Sequence, residues 1–138
     1  MATKSKVLKK IDHIGIAVKN LETSIEQYKV ISGITEVETE YVESQDVLVA
    51  MFQVGESKIE LLQGKTEKSP ISKFLEKNRE GLHHVCYEVD DLVQTLAELD
   101  KNEFRLLDKE PRDGAGGKKI AFVHPKSTVG VLTELVQK

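Results

Sequence analysis

Four residues of this chain carry types and spacings that suit chemistry: His13, Glu60, His84 and Glu134. Two imidazoles and two carboxylates form a donor set for a borderline-hard divalent cation such as Co, Mn, Ni, Zn or Fe. Four protein donors on a six-coordinate ion leave two positions for substrate oxygens. Each residue taken alone has a blander reading. A single strand histidine usually packs in a core, and a single strand glutamate usually faces water. An internal repeat joins them into one set.

His13-Ile-Gly-Ile-Ala-Val-Lys-Asn-Leu21 aligns with His84-Val-Cys-Tyr-Glu-Val-Asp-Asp-Leu92. Further along, Ala50-Met-Phe-Gln-Val-Gly55 aligns with Ala121-Phe-Val-His-Pro-Lys126, and Ile59-Glu-Leu-Leu-Gln63 with Thr133-Glu-Leu-Val-Gln137. The histidines lie 71 residues apart and the glutamates 74, so the second half has a slightly longer loop. Three matches in one order mark a duplicated module. If a pseudo-twofold relates the halves, His13 and His84 on the first strands meet Glu60 and Glu134 on the last strands at its axis.

The elements that must position this set follow from hydrophobic period. Ile11–Val18 alternates, with Ile14, Ile16 and Val18 on one face and His13, Gly15 and Ala17 on the other, as in a half-buried strand. Asn20 caps a helix carrying Leu21, Ile25, Tyr28 and Ile31, and Gly33 ends it. Strands follow near Thr35–Val42, Val47–Val54 and Ser57–Gln63, with a turn at Gly55-Glu56. Ser69-Pro70 opens a short connecting helix with Ile71, Phe74 and Leu75. The second half repeats the order: a strand at His83–Val89, a cap at Asp90 or Asp91, and a helix through Leu92, Leu96 and Leu99. Strands near Phe104–Asp108, Lys119–His124 and Val131–Gln137 complete it. The expected fold is α+β, with two tandem βαβββ modules (about 9–64 and 81–138, connector 65–80) making one domain whose curved sheet surrounds a metal-binding cleft.

Alternation sets His83 opposite His84, so the repeat selects His84 as ligand and leaves His83 to packing or to support of the ligand. Cys86 shares the face of His84 and reads as a small buried apolar residue. Gly114-Ala-Gly-Gly-Lys-Lys119 lacks the strand-to-helix context of a nucleotide-binding loop. It is either a hairpin connection or a lid whose amides at Gly116 and Gly117 and lysines at Lys118 and Lys119 meet an anionic ligand. His124, before Pro125, reads as a turn residue or a substrate contact.

Composition narrows the setting. Twenty-three acidic and 20 basic residues give a net charge of −3, which supplies no footprint for nucleic acid or an anionic membrane. The single cysteine forbids an intrachain disulfide, and no apolar run approaches the length of a membrane span. Met1 to Lys10 lacks the apolar core of a secretory signal, so a cytoplasmic protein is expected.

Ile11-Asp-His-Ile-Gly-Ile-Ala-Val18, Gly81-Leu-His-His84, Glu110-Pro-Arg-Asp-Gly-Ala-Gly-Gly-Lys118, Phe122-Val-His-Pro-Lys126 and Gly130-Val-Leu-Thr-Glu-Leu135 together resemble the methylmalonyl-CoA epimerase family of the glyoxalase/bleomycin-resistance superfamily. The likeness runs from about Lys9 to Gln137. It implies a homodimer with one divalent metal ion per chain, often cobalt, and an acyl-CoA substrate of propionate metabolism. The family's ligands fall on His13, Glu60, His84 and Glu134. The substrate contacts expected from the loop and turn described above are Gly116, Gly117, Lys118, Lys119 and His124. The reaction implied moves a proton at C2 of methylmalonyl-CoA through an enediolate, interconverting the (R) and (S) forms. Some members carry Gln in place of Glu60, and some carry a catalytic Glu where Val49 stands here. With Val49 inert, Glu134 and Glu60 are the expected pair of bases, and Glu43 on a nearby loop is the alternative to Glu60. Two rival readings use the same fold: a glyoxalase I-type lyase acting on a glutathione hemithioacetal, and a metal-free small-molecule-binding protein.

Overall fold

The computed structural model describes residues 7–138, so the part of the N-terminal expectation that falls on residues 1–6 lies outside the described residues. The chain forms two compact units, one of His13–His84 and one that joins the strand start up to Asp12 to Val85–Lys138. Both boundaries fall inside strands, β1 (Leu8–Ala17) and β5 (Gly81–Val89). Among the described residues, no helix is long and apolar enough to cross a membrane.

The contiguous unit holds α1 (Leu21–Ser32), β2 (Glu38–Val42), β3 (Val47–Val54), β4 (Ser57–Gly64) and α2 (Pro70–Lys77) in addition to its share of β1. Its strands run in the order β2-β3-β4-β1, antiparallel except where β4 lies parallel to β1. The two-residue turn between β3 and β4 uses Gly55 at φ 59°, a left-handed conformation that glycine adopts without penalty. Asn20 caps α1 by accepting from the Thr23 amide, and Gly33 closes it at φ 74° with its N–H on the Lys29 carbonyl. Leu21, Ile25 and Tyr28 pack on Val18, Ala50 and Leu61, which are almost wholly buried. Ile31 departs from expectation and is 81% exposed. Continuing the stripe 21, 25, 28 at 3.6 residues per turn leads to Ser32, so Ile31 falls to the side of it.

The second unit repeats this order with its share of β5, α3 (Leu92–Lys101), β6 (Arg112–Asp113), β7 (Lys119–Val123) and β8 (Thr133–Gln137), arranged β5-β8-β7-β6. Here β5 and β8 are the parallel pair. Leu92 and Leu96 of α3 bury against Ala121, Val123 and Leu135. The start of β1 is tied to this unit by Lys9–Asp90 and Asp12–Lys138 ion pairs, each 2.9 Å.

Both halves are therefore βαβββ, as the repeat predicts. The strand expected at Phe104–Asp108 is a correction: only Leu106 makes a ladder bridge, to Val123. The Asp108 carboxylate takes the Phe122 amide at 2.8 Å, so a side chain displaces the regular ladder, which resumes in the two residues of β6. The last strand begins at Thr133 because Val129 and Gly130 turn the chain at positive φ.

Each half also carries the same brace. Gln63 at the end of β4 accepts the Leu21 amide at 2.6 Å, and Gln137 at the end of β8 accepts the Leu92 amide at 2.8 Å. Asn20 and Asp91 cap the same two helices one residue earlier. A last-strand glutamine thus satisfies an N-terminal helix donor that has no partner within the helix.

Candidate active site

In the contiguous unit, β1 and β4 set His13 and Glu60 on neighbouring strands, with Gly15 opposite Glu60 in the parallel register. His84 enters from the start of β5. All three are buried: His13 is 5%, Glu60 7% and His84 4% exposed. His13 Nε2 lies 3.1 Å from His84 Nε2, the rings meeting edge to face at 89°. His13 Nδ1, on the far side of its ring, lies 3.4 Å from Glu60 Oε2.

These positions fit a divalent ion. Metal–nitrogen bonds of about 2.0–2.1 Å at right angles place two donor nitrogens about 3.0 Å apart, close to the His13–His84 separation. Two lone-pair nitrogens facing each other inside a protein need a proton or a cation between them, and Glu60, against Nδ1 on the far side of the His13 ring, is placed to accept the hydrogen whose presence there leaves Nε2 its lone pair.

Gly15 makes the arrangement possible. A Cβ there would lie 2.2 Å from His84 Cε1 and 2.5 Å from its Nδ1, so the imidazole occupies the space a side chain would fill. On the other side of the ring, His83 Nδ1 lies 2.9 Å from His84 Nδ1. His83 in turn meets the Phe74 ring of α2 edge to face, 4.9 Å between centroids. The His83 ring is thus packed between Phe74 and His84.

Val49 is buried on β3, opposite Glu40 of β2 in the ladder, and offers no proton-transfer group. Glu43 sits exposed in the 3-10 turn Glu43–Gln45 that follows β2.

In the second unit, Glu134 on β8 is 5% exposed, with Cys86 of β5 opposite it on one side and Phe122 of β7 on the other. Cys86, Ile120, Phe122 and Val136 form an apolar cluster around that strand. A carboxylate so enclosed requires a cation, a proton or donors to be stable. The Gly114–Lys119 segment is the β6–β7 connection, closed by the Gly114 amide on the Lys118 carbonyl, with Gly116 and Gly117 exposed at positive φ. Lys119 is exposed and paired with Asp113, while Lys118 is half-buried. His124 caps the 3-10 turn Pro125–Ser127, its Nδ1 accepting from the Lys126 amide.

Sequence reasoning missed Gly15 and the two glutamine braces. The braces had a visible signal, since Gln63 and Gln137 are equivalent in the repeat. The role of Gly15 depends on where the His84 ring lies, which no local pattern encodes.

Residues 12–122 match the Glyoxalase/Bleomycin resistance protein/Dioxygenase superfamily. The chain is 40% identical over 130 residues to the mitochondrial methylmalonyl-CoA epimerase of Dictyostelium discoideum, covering 94% of this chain and 78% of that one. The chain belongs to the methylmalonyl-CoA epimerase family. It is also 39% identical to the ethylmalonyl-CoA/methylmalonyl-CoA epimerase of Cereibacter sphaeroides, over 93% of this chain and 97% of that one. A Streptomyces coelicolor methylmalonyl-CoA epimerase variant solved with 2-nitronate-propionyl-CoA superposes with a TM-score of 0.90 at 39% identity, covering 95% of both chains. A methylmalonyl-CoA epimerase solved with methylmalonyl-CoA and NH4+ gives the same score, identity and coverage. The fold is that of the epimerase family.

Proposed function

We propose that the chain is a metal-dependent methylmalonyl-CoA epimerase that interconverts the (R) and (S) forms of its acyl-CoA substrate by proton transfer at C2. The observation that carries this reading is the buried pair His13–His84, nitrogens 3.1 Å apart beside a buried Glu60, in a chain alike over nearly its whole length to such epimerases.

His13, Glu60, His84 and Glu134 would hold one divalent ion, with cobalt first and Mn, Ni or Zn as alternatives. Bound there, the ion supplies Lewis-acid stabilisation of the negative charge that develops on the substrate's oxygens. The chain's own residues move the proton. Epimerisation needs a base on each face of a planar intermediate. Glu134, enclosed by Cys86 and Phe122, takes the C2 proton from one face, because an apolar setting makes a carboxylate a stronger base. Glu60, starting as the carboxylic acid, returns its proton to the opposite face and is left as the carboxylate beside His13, while Glu134 ends protonated; in the reverse direction the two exchange roles. The amides of Gly116 and Gly117 and the ammonium groups of Lys118 and Lys119, with His124, would receive the anionic CoA portion. The protein is taken to act as a cytoplasmic homodimer, which sedimentation of the purified protein and localisation of a tagged chain would test.

The deciding experiment strips the metal, restores cobalt and follows the C2 proton of one methylmalonyl-CoA epimer in D₂O by NMR. Metal-dependent loss of that proton with appearance of the other epimer is expected, and a retained proton with metal bound would sink the reading. Glu60→Gln and Glu134→Gln should each lower turnover about 10²–10⁴-fold with the ion still bound. Near-native turnover of the Glu60 variant would remove it as a base.

A further inference from the structure

Successive strand residues leave the backbone on opposite faces, so His83 and His84 would ordinarily have no contact. Their ring nitrogens nevertheless approach to 2.9 Å, Nδ1 to Nδ1, with the ring planes at 88°. The His83 ring is fixed from behind by Phe74, the two rings meeting at 81°. Phe74 belongs to α2, whose start is anchored by the fully buried Ser69 accepting the Ile71 amide and by the buried Ile71. A path of packed side chains therefore runs from the connecting helix through Phe74 and His83 to the imidazole of His84.

A neutral imidazole presents a lone pair at one nitrogen only when the other carries the hydrogen. His84 points its Nε2 at His13, so service as a ligand through that atom requires the hydrogen on Nδ1. The 2.9 Å approach is then a hydrogen bond with one polarity. His84 Nδ1–H donates, and His83 Nδ1 accepts with its own hydrogen on Nε2.

We propose that His83 is a positioning residue, which accepts the Nδ1–H of His84 and so fixes the tautomer and ring orientation that aim His84 Nε2 at the metal. The α2 connector, through Phe74, is the brace that holds His83 for this task. The inference rests on the metal site proposed above, and its test separates the two.

The test uses the metal-free protein and Co²⁺ alone, followed by visible absorption, with ¹H–¹⁵N spectra of the histidine rings. His83→Phe keeps an aromatic ring against Phe74 and removes the acceptor, whereas His83→Gln restores an acceptor. The expected result is Co²⁺ affinity weakened about 10- to 100-fold in His83→Phe and largely recovered in His83→Gln. His84 should be Nδ1-protonated in the native protein and mixed in His83→Phe. Failure of the native protein to take up one Co²⁺ would overturn the metal site itself. Native uptake with equal affinity and an unchanged His84 tautomer in His83→Phe would overturn the role of His83 alone. Should His83→Phe not fold, the native spectrum decides, since Nε2-protonated His84 in the metal-free protein refutes the proposal.

Discussion

Replacing Gly15 by alanine asks whether the His84 ring is held where the site needs it. Gly15 is absent from the positive-φ positions, so alanine suits its backbone and by itself would stabilise the strand by about 0.4–1 kcal/mol. The added methyl, however, would sit 2.2 Å from His84 Cε1 and 2.8 Å from Nε2. Carbon atoms rest about 3.5 Å or more apart, so the ring must retreat by about 1.3 Å. It is confined by His83 on Nδ1 and His13 on Nε2, and cannot retreat without losing one of these partners. Overpacking of this kind costs about 1–3 kcal/mol, which outweighs the backbone gain and leaves a net loss near 1–2 kcal/mol. Function should suffer more, because ligand distances tolerate only about 0.2 Å. Misplacement of about 1 Å near a reacting centre costs on the order of 10²-fold in rate. Urea denaturation of the metal-free protein would measure the first effect, and Co²⁺ titration with turnover the second. A Gly15→Ala protein more stable than native, with native Co²⁺ affinity, would refute the account of the ring's confinement.

Other perturbations probe features away from the metal ligands. Gln63→Ala and Gln137→Ala should each lower stability by about 1 kcal/mol, and by similar amounts, because they remove equivalent side-chain caps in the two halves; urea midpoints of the single variants check this. The Thr66 hydroxyl bonded to Asp46, joined by the Tyr41 hydroxyl and the Thr66 amide, holds the Asp46 carboxyl below its ordinary value of 3.8. The stabilisation this gives is complete above pH 3.8 and is lost as pH falls through the lower folded value. Thr66→Val should therefore raise the Asp46 titration midpoint seen by carboxyl NMR, and flatten the pH dependence of stability in that acid window. An unmoved midpoint would remove the hydroxyl as the cause.

Periodicity and the repeat made most of the architecture legible. Alternation in Ile11–Val18 marked a strand that is present, and Asn20 with Gly33 marked the ends of the helix that follows it. The repeat singled out four residues, and the structure buries every one of them. Other features were hidden for identifiable reasons. Phe104–Asp108 has strand composition, but Asp108 spends its carboxylate on a backbone amide of the neighbouring strand, a tertiary event. Ile31 fits a loose helical spacing, yet the true stripe passes through Ser32 because a helix turns every 3.6 residues, not three. The approach of His83 to His84 contradicts alternation, and becomes visible only once Phe74 is seen turning the first ring.

The division of the chain at His13 and His84 has a consequence for synthesis. One compact unit is a single uninterrupted stretch, His13–His84, whereas the other joins the beginning of β1 to residues that follow His84. As the chain leaves the ribosome, the contiguous stretch is available to close its own core while the later residues are still being made. Leu8–Asp12 must meanwhile wait, since Asp90 and Lys138, the partners of Lys9 and Asp12, are translated long afterwards. Closing a loop of that span costs entropy that grows only slowly with its length, so the delay is set by translation more than by the search. His13, His84 and Glu60 all belong to the contiguous stretch, so the two imidazoles can find each other before Glu134 has been synthesised.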